Sequence, residues 1–245
     1  AGIGATCTAE GTFELDASIM EGKDLSAGAV AGLKHVKHPI NAAYAVKTKS
    51  PHVMLSGAGA EEFAKEQGLE MVEDNMYFAT PKTMEWIEKL KQESKKNGTV
   101  GCVVLDKQGN LTAGTSTGGM FKKRWGRIGD SPVIGAGTYA DNNSCAVSCT
   151  GHGEYFIRHA VAFDVCARYK YLKESVEKAA DYIIHTELNT NAGNGGLIAV
   201  DKLGNIAMPY NSGGMFRGFL YKEKGSPEIK KGCGIGKKIV VVGEK

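Results

Sequence analysis

The chain has 245 residues, which is enough for one substantial domain, or two small ones, with a proper core. Its formal net charge is +3 and no basic cluster is interleaved with aromatic residues, so nucleic acid is not expected as a partner. No apolar run approaches the roughly 18 residues of a membrane span, so no membrane contact is expected. The first residues lack the charged start and apolar middle of a signal peptide, which favours a cytoplasmic protein.

The cysteines show no close pairing of the metal-binding type. Cys145 and Cys149 are separated by three residues, but no histidine or second pair completes a zinc set. We expect all six to be buried small hydrophobic residues in a reducing compartment, with a disulfide framework as the alternative. They are Cys7, Cys102, Cys145, Cys149, Cys166 and Cys233.

Strand-like and helix-like segments alternate in the first part of the chain. Apolar and polar residues alternate over residues 12–20, which predicts a half-buried strand with an antiparallel neighbour at 29–35. Thr80 is a candidate helix N-cap, because Pro81 follows it at the first helical position. The other elements predicted here are a strand at 53–55, helices at 39–47 and 60–68, and a helix from Pro81 into the lysines at 89–96.

Two hairpins and a pair of consecutive helices are predicted in the second part. The apolar stretches at 100–105 and 111–117 flank a polar turn that contains glycine, and 196–200 and 205–208 repeat this pattern. Further strands are predicted at 144–148 and 238–242, and helices at 153–171 and 174–188. The apolar faces predicted for the helices are Phe156, Ala160, Phe163 and Ala167 in the first, and Val176, Ala180, Ile183 and Ile184 in the second.

This order of elements indicates an α+β fold rather than a βαβ chain. The lysine-rich stretches at 89–96 and 222–238 are interpreted as solvated connectors.

The run Asn97-Gly-Thr-Val lies between the first lysine-rich stretch and an apolar strand. A threonine hydroxyl is a poor nucleophile unless a base lies beside it, and the nearest base is the residue's own amino group. That group is free only if the chain is cut between Gly98 and Thr99. The placement therefore suggests a self-cleaving precursor, and the alternative is an ordinary turn that leads into a strand.

Four clusters of polar residues and glycines follow the junction. Each alone has a structural interpretation, since hydroxyls at strand ends make turns and an arginine near an aspartate is usually a surface pair. The clusters are Thr115-Ser-Thr-Gly-Gly, Gly126-Arg-Ile-Gly-Asp, Thr150-Gly-His-Gly-Glu and Asn211-Ser-Gly-Gly-Met-Phe-Arg-Gly.

Taken in order, these motifs resemble those of the plant-type asparaginases, also called isoaspartyl peptidases, among the N-terminal-nucleophile hydrolases. The resemblance covers essentially the whole chain and includes Leu15-Asp-Ala-Ser-Ile-Met-Glu-Gly and the longer run Gly126-Arg-Ile-Gly-Asp-Ser-Pro-Val-Ile-Gly-Ala-Gly. It implies a four-layer αββα sandwich and one folded domain made of residues 1–98 and 99–245 after self-cleavage. Gly118, Gly119 and the segment Met208-Pro-Tyr-Asn-Ser are closer to the asparaginase branch than to the glycosylasparaginases, which share several of these motifs.

The resemblance also implies roles for individual residues. Thr99 would attack the Gly98 carbonyl and later the substrate, with Thr117 hydrogen-bonded to it. Arg127 would bind the substrate α-carboxylate and Asp130 its α-ammonium group. The roles implied for the oxyanion hole fall on the Thr150 hydroxyl and the Gly151 N–H, and the Gly153 carbonyl is a further ligand for the ammonium group. The family mechanism needs no histidine, so His152 is expected to be a loop residue.

The chain departs from the family pattern at its start. Family members begin with a strand that carries a His-Gly-Gly-Ala-Gly motif, followed by helices, before the equivalent of Ala1. They also place an asparagine near the nucleophile just before this point. Without that strand we expect a sheet with an exposed edge. The family often binds sodium through backbone carbonyls in this region, but only the part around Ala1 and Ile3 is present, so no metal and no cofactor are predicted.

Three functions remain open at this stage. The first is hydrolysis of asparagine or β-aspartyl dipeptides, and the second is glycosylasparaginase activity with a bulkier leaving group. The third is an uncleaved scaffold that keeps the aspartate pocket. The family's habit suggests a dimer of cleaved heterodimers that acts on a small-molecule substrate.

Overall fold

The computed structural model describes residues 1–88, 97–222, 229–235 and 240–243. A five-stranded sheet with helices on its outer face forms one half of the structure. The strands are β1 (Leu15–Glu21), β2 (Ala27–Leu33), β3 (Met54–Ser56), β4 (Asn97–Leu105) and β5 (Leu111–Met120), and the helices are α1 (Pro39–Lys49), α2 (Gly57–Glu66) and α3 (Pro81–Glu88). The strand order is β3-β2-β1-β5-β4. Its pairs are antiparallel except β2–β3, which is parallel with α1 as the crossover.

Helices α1 and α2 pack on this sheet over an apolar core. At Gly28 of β2 the helix comes so close that a Cβ atom would overlap the Ala43 carbonyl oxygen, so only glycine fits there. Thr80 caps α3, since its Oγ1 accepts the Thr83 N–H at 3.1 Å. The largest fully buried side chains of this core are Phe13, Leu15, Val30, Leu33, Val36 and Phe78.

A four-stranded sheet with its own helices forms the other half. The strands are β6 (Thr138–Ala140), β7 (Cys145–Gly151), β8 (Gly195–Asp201) and β9 (Ile206–Ala207), and the helices are α4 (Gly153–Arg158), α5 (Val161–Leu172), α6 (Val176–Tyr182) and α7 (Leu188–Thr190). The order β6-β7-β8-β9 is antiparallel throughout. Helices α5 and α6 cover its outer face over a core that includes Phe156, Ile183, Ile184, Leu188 and Leu197.

The two sheets stack face to face, which gives the four-layer αββα arrangement that the resemblance implied. Their interface contains small and medium apolar side chains such as Ala113 and Ala146. At Gly101 of β4 a Cβ atom would overlap the Ser148 hydroxyl of β7, so the strands of the two sheets lie close together there. The α+β fold class of the N-terminal-nucleophile hydrolases is therefore confirmed.

A chain of buried hydroxyls links the two sheets. Ser18 Oγ of β1 lies 2.8 Å from Thr138 Oγ1 of β6, which donates to Thr115 Oγ1 of β5 at 2.6 Å. Thr115 Oγ1 in turn lies 2.7 Å from Ser148 Oγ of β7. Ser18 also donates to the Ser131 carbonyl at 2.6 Å, so the network fixes a loop that proves to line the candidate site.

Most predicted elements are present, but several details were wrong. Residues 15–21 are buried on both faces rather than half-buried, because the strand lies between helices and a second sheet. The parallel β2–β3 pair is a βαβ unit that the α+β interpretation did not include. The stretch 222–238 is not only a connector, since β11 (Ile229–Gly234) pairs with β10 (Arg217–Lys222) and β12 (Val240–Gly243). The lysines at 89–96 lie outside the described residues.

The first predicted helix of the second part is broken. Ala160 has a left-handed backbone with φ of 45°, so α4 ends and α5 begins in a new direction. The apolar face predicted across the break is therefore right for Phe156, which is buried, and wrong beyond the break, where Phe163 is exposed and Val161 and Val165 are buried. The face predicted for the second helix is confirmed, although Ile183–Glu187 continues α6 as a π-helical turn.

The cysteine prediction was only partly right. Cys102 and Cys233 are exposed, and the other four are buried free thiols. Within the described residues, no helix is long and apolar enough to cross a membrane.

Candidate active site

Thr99 and Thr117 face each other on neighbouring strands. They are directly opposite in the β4–β5 ladder, and their Oγ1 atoms are 3.1 Å apart. The ladder is irregular between Asn97 and Thr99, so the regular hairpin pairing begins at the threonine. Opposed side chains of an antiparallel pair share one face of the sheet, which explains how a spacing of eighteen residues brings two hydroxyls together.

Thr117 is the centre of a small hydrogen-bond chain. Its Oγ1 accepts the Gly119 N–H at 2.9 Å and donates to the Gly98 carbonyl at 2.9 Å. A hydroxyl has one proton to donate, so the Thr99 hydroxyl is the donor in its contact with Thr117. The predicted nucleophile, the second threonine and the predicted scissile carbonyl are thus joined in series.

A small cavity lies beside this pair and holds about 10 Å³, roughly one water molecule. Five of the residues singled out from sequence line it, together with four that were given no role. The first group is Thr99, Thr117, Arg127, Asp130 and Gly151, and the second is Gly119, Met120, Gly129 and Ser131.

Arg127 reaches the cavity from the loop after β5, and one edge of its guanidinium is already occupied. Its Nε and Nη2 donate to the two carboxylate oxygens of Glu154, each at 2.9 Å. The remaining Nη1 points towards Gly129 and Gly119, where Cβ atoms would lie 2.7 and 3.6 Å from it. Glycines at these positions leave room for the guanidinium.

Asp130 is a buried carboxylate, 5% exposed, whose Oδ2 has no hydrogen-bond partner among the described residues. Burial raises its pKa to about 7, against the opposing effects of its own backbone N–H and of Arg127. An unpartnered buried carboxylate is costly, and a cationic ligand group would relieve that cost. Perturbed groups of this kind are concentrated at functional sites.

The oxyanion-hole residues and Gly153 lie at the end of β7 and the start of α4. Gly151 lines the cavity, and its φ of 152° and close contact with Gly195 leave no space for a side chain. Thr150 precedes it but does not line the cavity. A Cβ atom at Gly153 would lie 2.8 Å from Asp130 Oδ1 and 2.9 Å from Arg127 Nη2, so this glycine lets the two side chains meet. The roles given to Thr150, Gly151 and Gly153 stay predictions.

A buried lysine, Lys123, lies next to a residue that lines the cavity. Lys123 is 4% exposed, and its Nζ donates to the Glu14 carbonyl at 2.8 Å and lies close to Gly119. Burial lowers its pKa and raises that of Asp16, its fully buried neighbour on β1. Asp16 is opposite Thr117 in the β1–β5 ladder, so two buried titratable groups lie near the threonine chain.

No role was predicted for Glu154 or Ser131, although both lie inside the quoted motifs. His152, expected to be a loop residue, immediately precedes α4 and places Nε2 3.2 Å from Glu154 Oε2. Contacts between separate loops leave no periodic pattern in a sequence, so the Arg127–Glu154 pair could not be read from it.

The described residues contain no group of three or more His, Cys, Asp or Glu side chains arranged to hold a metal ion. Between Ala1 and Ile3, the Gly2 carbonyl accepts the Ala5 N–H at 3.0 Å and is therefore already engaged. We assign no chemical step to a cation.

Comparison with known proteins places this site in context. A sequence profile described as Asparaginase matches residues 1–229. This chain belongs to that family. It is 49% identical over 235 residues to an isoaspartyl peptidase of Salmonella typhimurium, covering 90% of this chain and 75% of the relative. The corresponding enzyme of Escherichia coli is 44% identical over 248 residues, covering 92% and 77%. A human isoaspartyl peptidase/L-asparaginase is 41% identical over 223 residues, covering 88% and 72%.

Proposed function

We propose that this chain is the precursor of a self-cleaving β-aspartyl amide hydrolase in which Thr99 becomes the N-terminal nucleophile. Membership of the asparaginase family makes the chain a hydrolase of β-aspartyl amide bonds, of the isoaspartyl peptidase and asparaginase type. The observation that carries the residue assignment is the series Thr99 hydroxyl, Thr117 hydroxyl and Gly98 carbonyl, with contacts of 3.1 and 2.9 Å.

Self-cleavage follows from this series in two steps. Thr99 Oγ1 loses its proton as it attacks the Gly98 carbonyl carbon, and the Gly98–Thr99 C–N bond breaks as the acyl group passes to oxygen and the Thr99 nitrogen takes up a proton. The Thr117 hydroxyl donates to the carbonyl oxygen, where negative charge develops, and so stabilises that transition state. Water then hydrolyses the ester, which leaves fragments 1–98 and 99–245 and a free amino group on Thr99.

The same residues then serve substrate hydrolysis. A terminal amino group has an ordinary pKa of about 7.7–8.0, so it can accept the Thr99 hydroxyl proton near neutral pH. The substrate acyl carbon would lie beside Thr99, with its oxygen towards the Thr150 hydroxyl and the Gly151 N–H. Attack gives a β-aspartyl ester on Thr99 and releases ammonia or an amino acid, and water regenerates the enzyme.

Arg127 and Asp130 would recognise the amino-acid end of the substrate. The free Nη1 of Arg127 suits an α-carboxylate, and the unpartnered Oδ2 of Asp130 suits an α-ammonium group. The Gly153 carbonyl would be a further ligand of that ammonium group.

Cavity size argues against the scaffold alternative. The continuous chain leaves room for about one water, which is too little for an aspartate. Substrate binding would then need a larger cavity than that of the continuous chain, so binding should follow maturation. The dimer of cleaved heterodimers stays a prediction, to be measured as molecular mass in solution.

Mass spectrometry of denatured protein tests the proposal. Wild type should give two fragments split before Thr99, whereas Thr99→Ala should give one chain and no activity. Thr99→Ser should retain partial cleavage because a hydroxyl remains. Thr112→Ala, which removes a threonine of the same hairpin outside the cavity, is the matched control and should be cleaved normally. Cleavage that persists in Thr99→Ala would refute the assignment.

A further inference from the structure

Glu154 occupies a position that neither nucleophile chemistry nor direct substrate contact explains. It lies in the first turn of α4, and its two oxygens accept from Nε and Nη2 of Arg127 at 2.9 Å each. A forked pair of this kind fixes the plane of a guanidinium as well as its place. The hydrogen bond from Arg127 is also the main reason that the pKa of Glu154 lies below its usual range, so the carboxylate is charged at neutral pH.

The contact determines which edge of Arg127 faces the cavity. A guanidinium has two edges that can bind a carboxylate through two N–H groups, and Glu154 takes the one formed by Nε and Nη2. The edge formed by Nη1 and Nη2 is left, with Nη1 between Gly119 and Gly129, which both line the cavity. Glu154 therefore leaves the second edge for a ligand and does not compete for it.

The contact also changes the charge that a ligand meets. Arg127 carries one positive charge, and Glu154 and Asp130 carry one negative charge each when ionised. His152, whose Nε2 lies 3.2 Å from Glu154 Oε2, is the other titratable group that contacts this carboxylate. When all three are ionised, their charges sum to minus one, and the nearby buried Lys123 and Asp16 are of opposite sign, so a ligand without an ammonium group would meet an unfavourable field.

We propose that Glu154 is a positioning and specificity-determining residue, which aims the free edge of Arg127 into the site and offsets its charge. The site thereby selects ligands that carry both an α-carboxylate and an α-ammonium group over simple anions. This inference rests on the proposed function, in particular on ligand recognition by Arg127 and Asp130.

Two ligands and three variants test the proposal by calorimetry on the mature, cleaved protein. L-aspartate has the ammonium group, and succinate is the same dicarboxylate without it. Wild type should prefer aspartate. In Glu154→Gln the amide oxygen can still accept from Arg127 but the charge is gone, so the preference should fall by about tenfold or more. In Glu154→Asp the charge stays but the shorter side chain cannot reach, so both ligands should weaken by similar factors.

Glu174→Gln provides the matched control. Glu174 accepts from Nε and Nη2 of Arg168 at 2.9 and 3.4 Å, the same edge as in the Arg127 pair, and neither residue lines the cavity. The Glu174→Gln variant should prefer aspartate over succinate to the same degree as wild type, even if its thermal stability falls. Equal shifts in the two glutamine variants would show a general loss of structure and overturn the proposal.

The remaining outcomes also decide the question. A preference in Glu154→Gln within twofold of wild type would overturn the charge offset. Failure of that variant to mature would assign Glu154 to self-cleavage instead of ligand selection. If cleaved wild type binds neither ligand, recognition by Arg127 and Asp130 is itself wrong, and that failure is distinguishable because it appears without any substitution at Glu154.

Discussion

The two walls of the cavity differ in how far their polar groups are satisfied. The nucleophile wall consists of Thr99, Thr117 and the Gly98 carbonyl, and its hydrogen bonds run in series within the chain. The recognition wall consists of Arg127 and Asp130, with Glu154 paired to Arg127 outside the cavity lining, and one Asp130 oxygen has no partner among the described residues. Under the proposed function, the first wall reacts with its own backbone without a ligand, whereas the second needs a ligand that supplies a cation and an anion.

The largest expected effect comes from the nucleophile wall. Thr117→Val keeps the shape of the side chain and removes the donor to the Gly98 carbonyl, so self-cleavage should slow by about 10²–10³-fold. Mass spectrometry of samples taken at intervals after cell-free synthesis would measure the rate. Thr112→Val on the same strand is the control. An unchanged cleavage rate in Thr117→Val would show that the Thr117 hydroxyl takes no part in self-cleavage.

A smaller effect is expected from Arg127→Ala on the recognition wall. Loss of a charge-assisted pair with the substrate carboxylate should lower kcat/KM by roughly 1.5–3 kcal/mol or more, which is about 10- to 100-fold. Precursor cleavage should continue, because the nucleophile wall is intact. Arg168→Ala removes the comparable arginine outside the cavity and should leave the kinetics alone. Near-normal kinetics in Arg127→Ala would contradict the assignment.

Substrate linkage sharpens the same comparison. Asparagine and a β-aspartyl dipeptide present free α-carboxylate and α-ammonium groups, whereas an α-aspartyl dipeptide has its α-carboxylate in the peptide bond. We expect hydrolysis of the first two substrates and not of the third. A coupled assay that detects released aspartate would measure it. Efficient cleavage of the α-linked peptide would be incompatible with the proposed role of Arg127.

A different kind of effect, on stability and not on activity, concerns Asp130. Its folded pKa of about 7 lies above the ordinary value of 3.8, so its ionisation opposes folding increasingly as pH rises from 3.8 to 7. At pH 8 the free energy of unfolding of Asp130→Asn should therefore exceed that of wild type by on the order of a few kcal/mol, and the variant should unfold at a higher temperature. The difference should shrink near pH 5, where wild type is protonated. Thermal unfolding at both pH values measures it, and a pH-independent difference would argue against the burial of a charge.

The same titration governs ligand binding. Asp130 must be ionised to pair with an ammonium group, so affinity for L-aspartate should rise as pH increases through about 7 and level off above it. Calorimetry between pH 6 and 8 would show the trend. An affinity that falls over this range would point to another ammonium ligand.

The nucleophile wall was accessible to prediction because its elements are local. A glycine–threonine junction at the start of a strand pointed to Thr99, and the predicted turn and second strand place residues 111–117 beside it, whereas the contact between Thr99 and Thr117 was implied by the family resemblance. The recognition wall was predictable only as a list of residues. The family resemblance supplied Arg127 and Asp130, but not the pairing of Arg127 with Glu154, which depends on how a loop packs on the first turn of α4.

The other predictions that were wrong also concern features that depend on how separate parts of the chain pack together. The left-handed backbone of Ala160 has no signal in the sequence, since alanine rarely adopts it, and it reoriented the buried face of α5. Strands β10 and β11 were missed because their residues are mostly polar or exposed. The spacing of apolar residues indicates which face of an isolated element is buried. It does not predict the buried face where the backbone turns abruptly or where a strand is covered on both sides.

The β1–β5 ladder has a consequence for the product of cleavage. Its six residue pairs join β1 of one fragment to β5 of the other in the middle of a single sheet. If the backbone is cut before Thr99, the two fragments would stay bound to each other through this shared sheet. Native mass spectrometry should then report one particle where denaturing conditions report two, and dilution alone should not separate them.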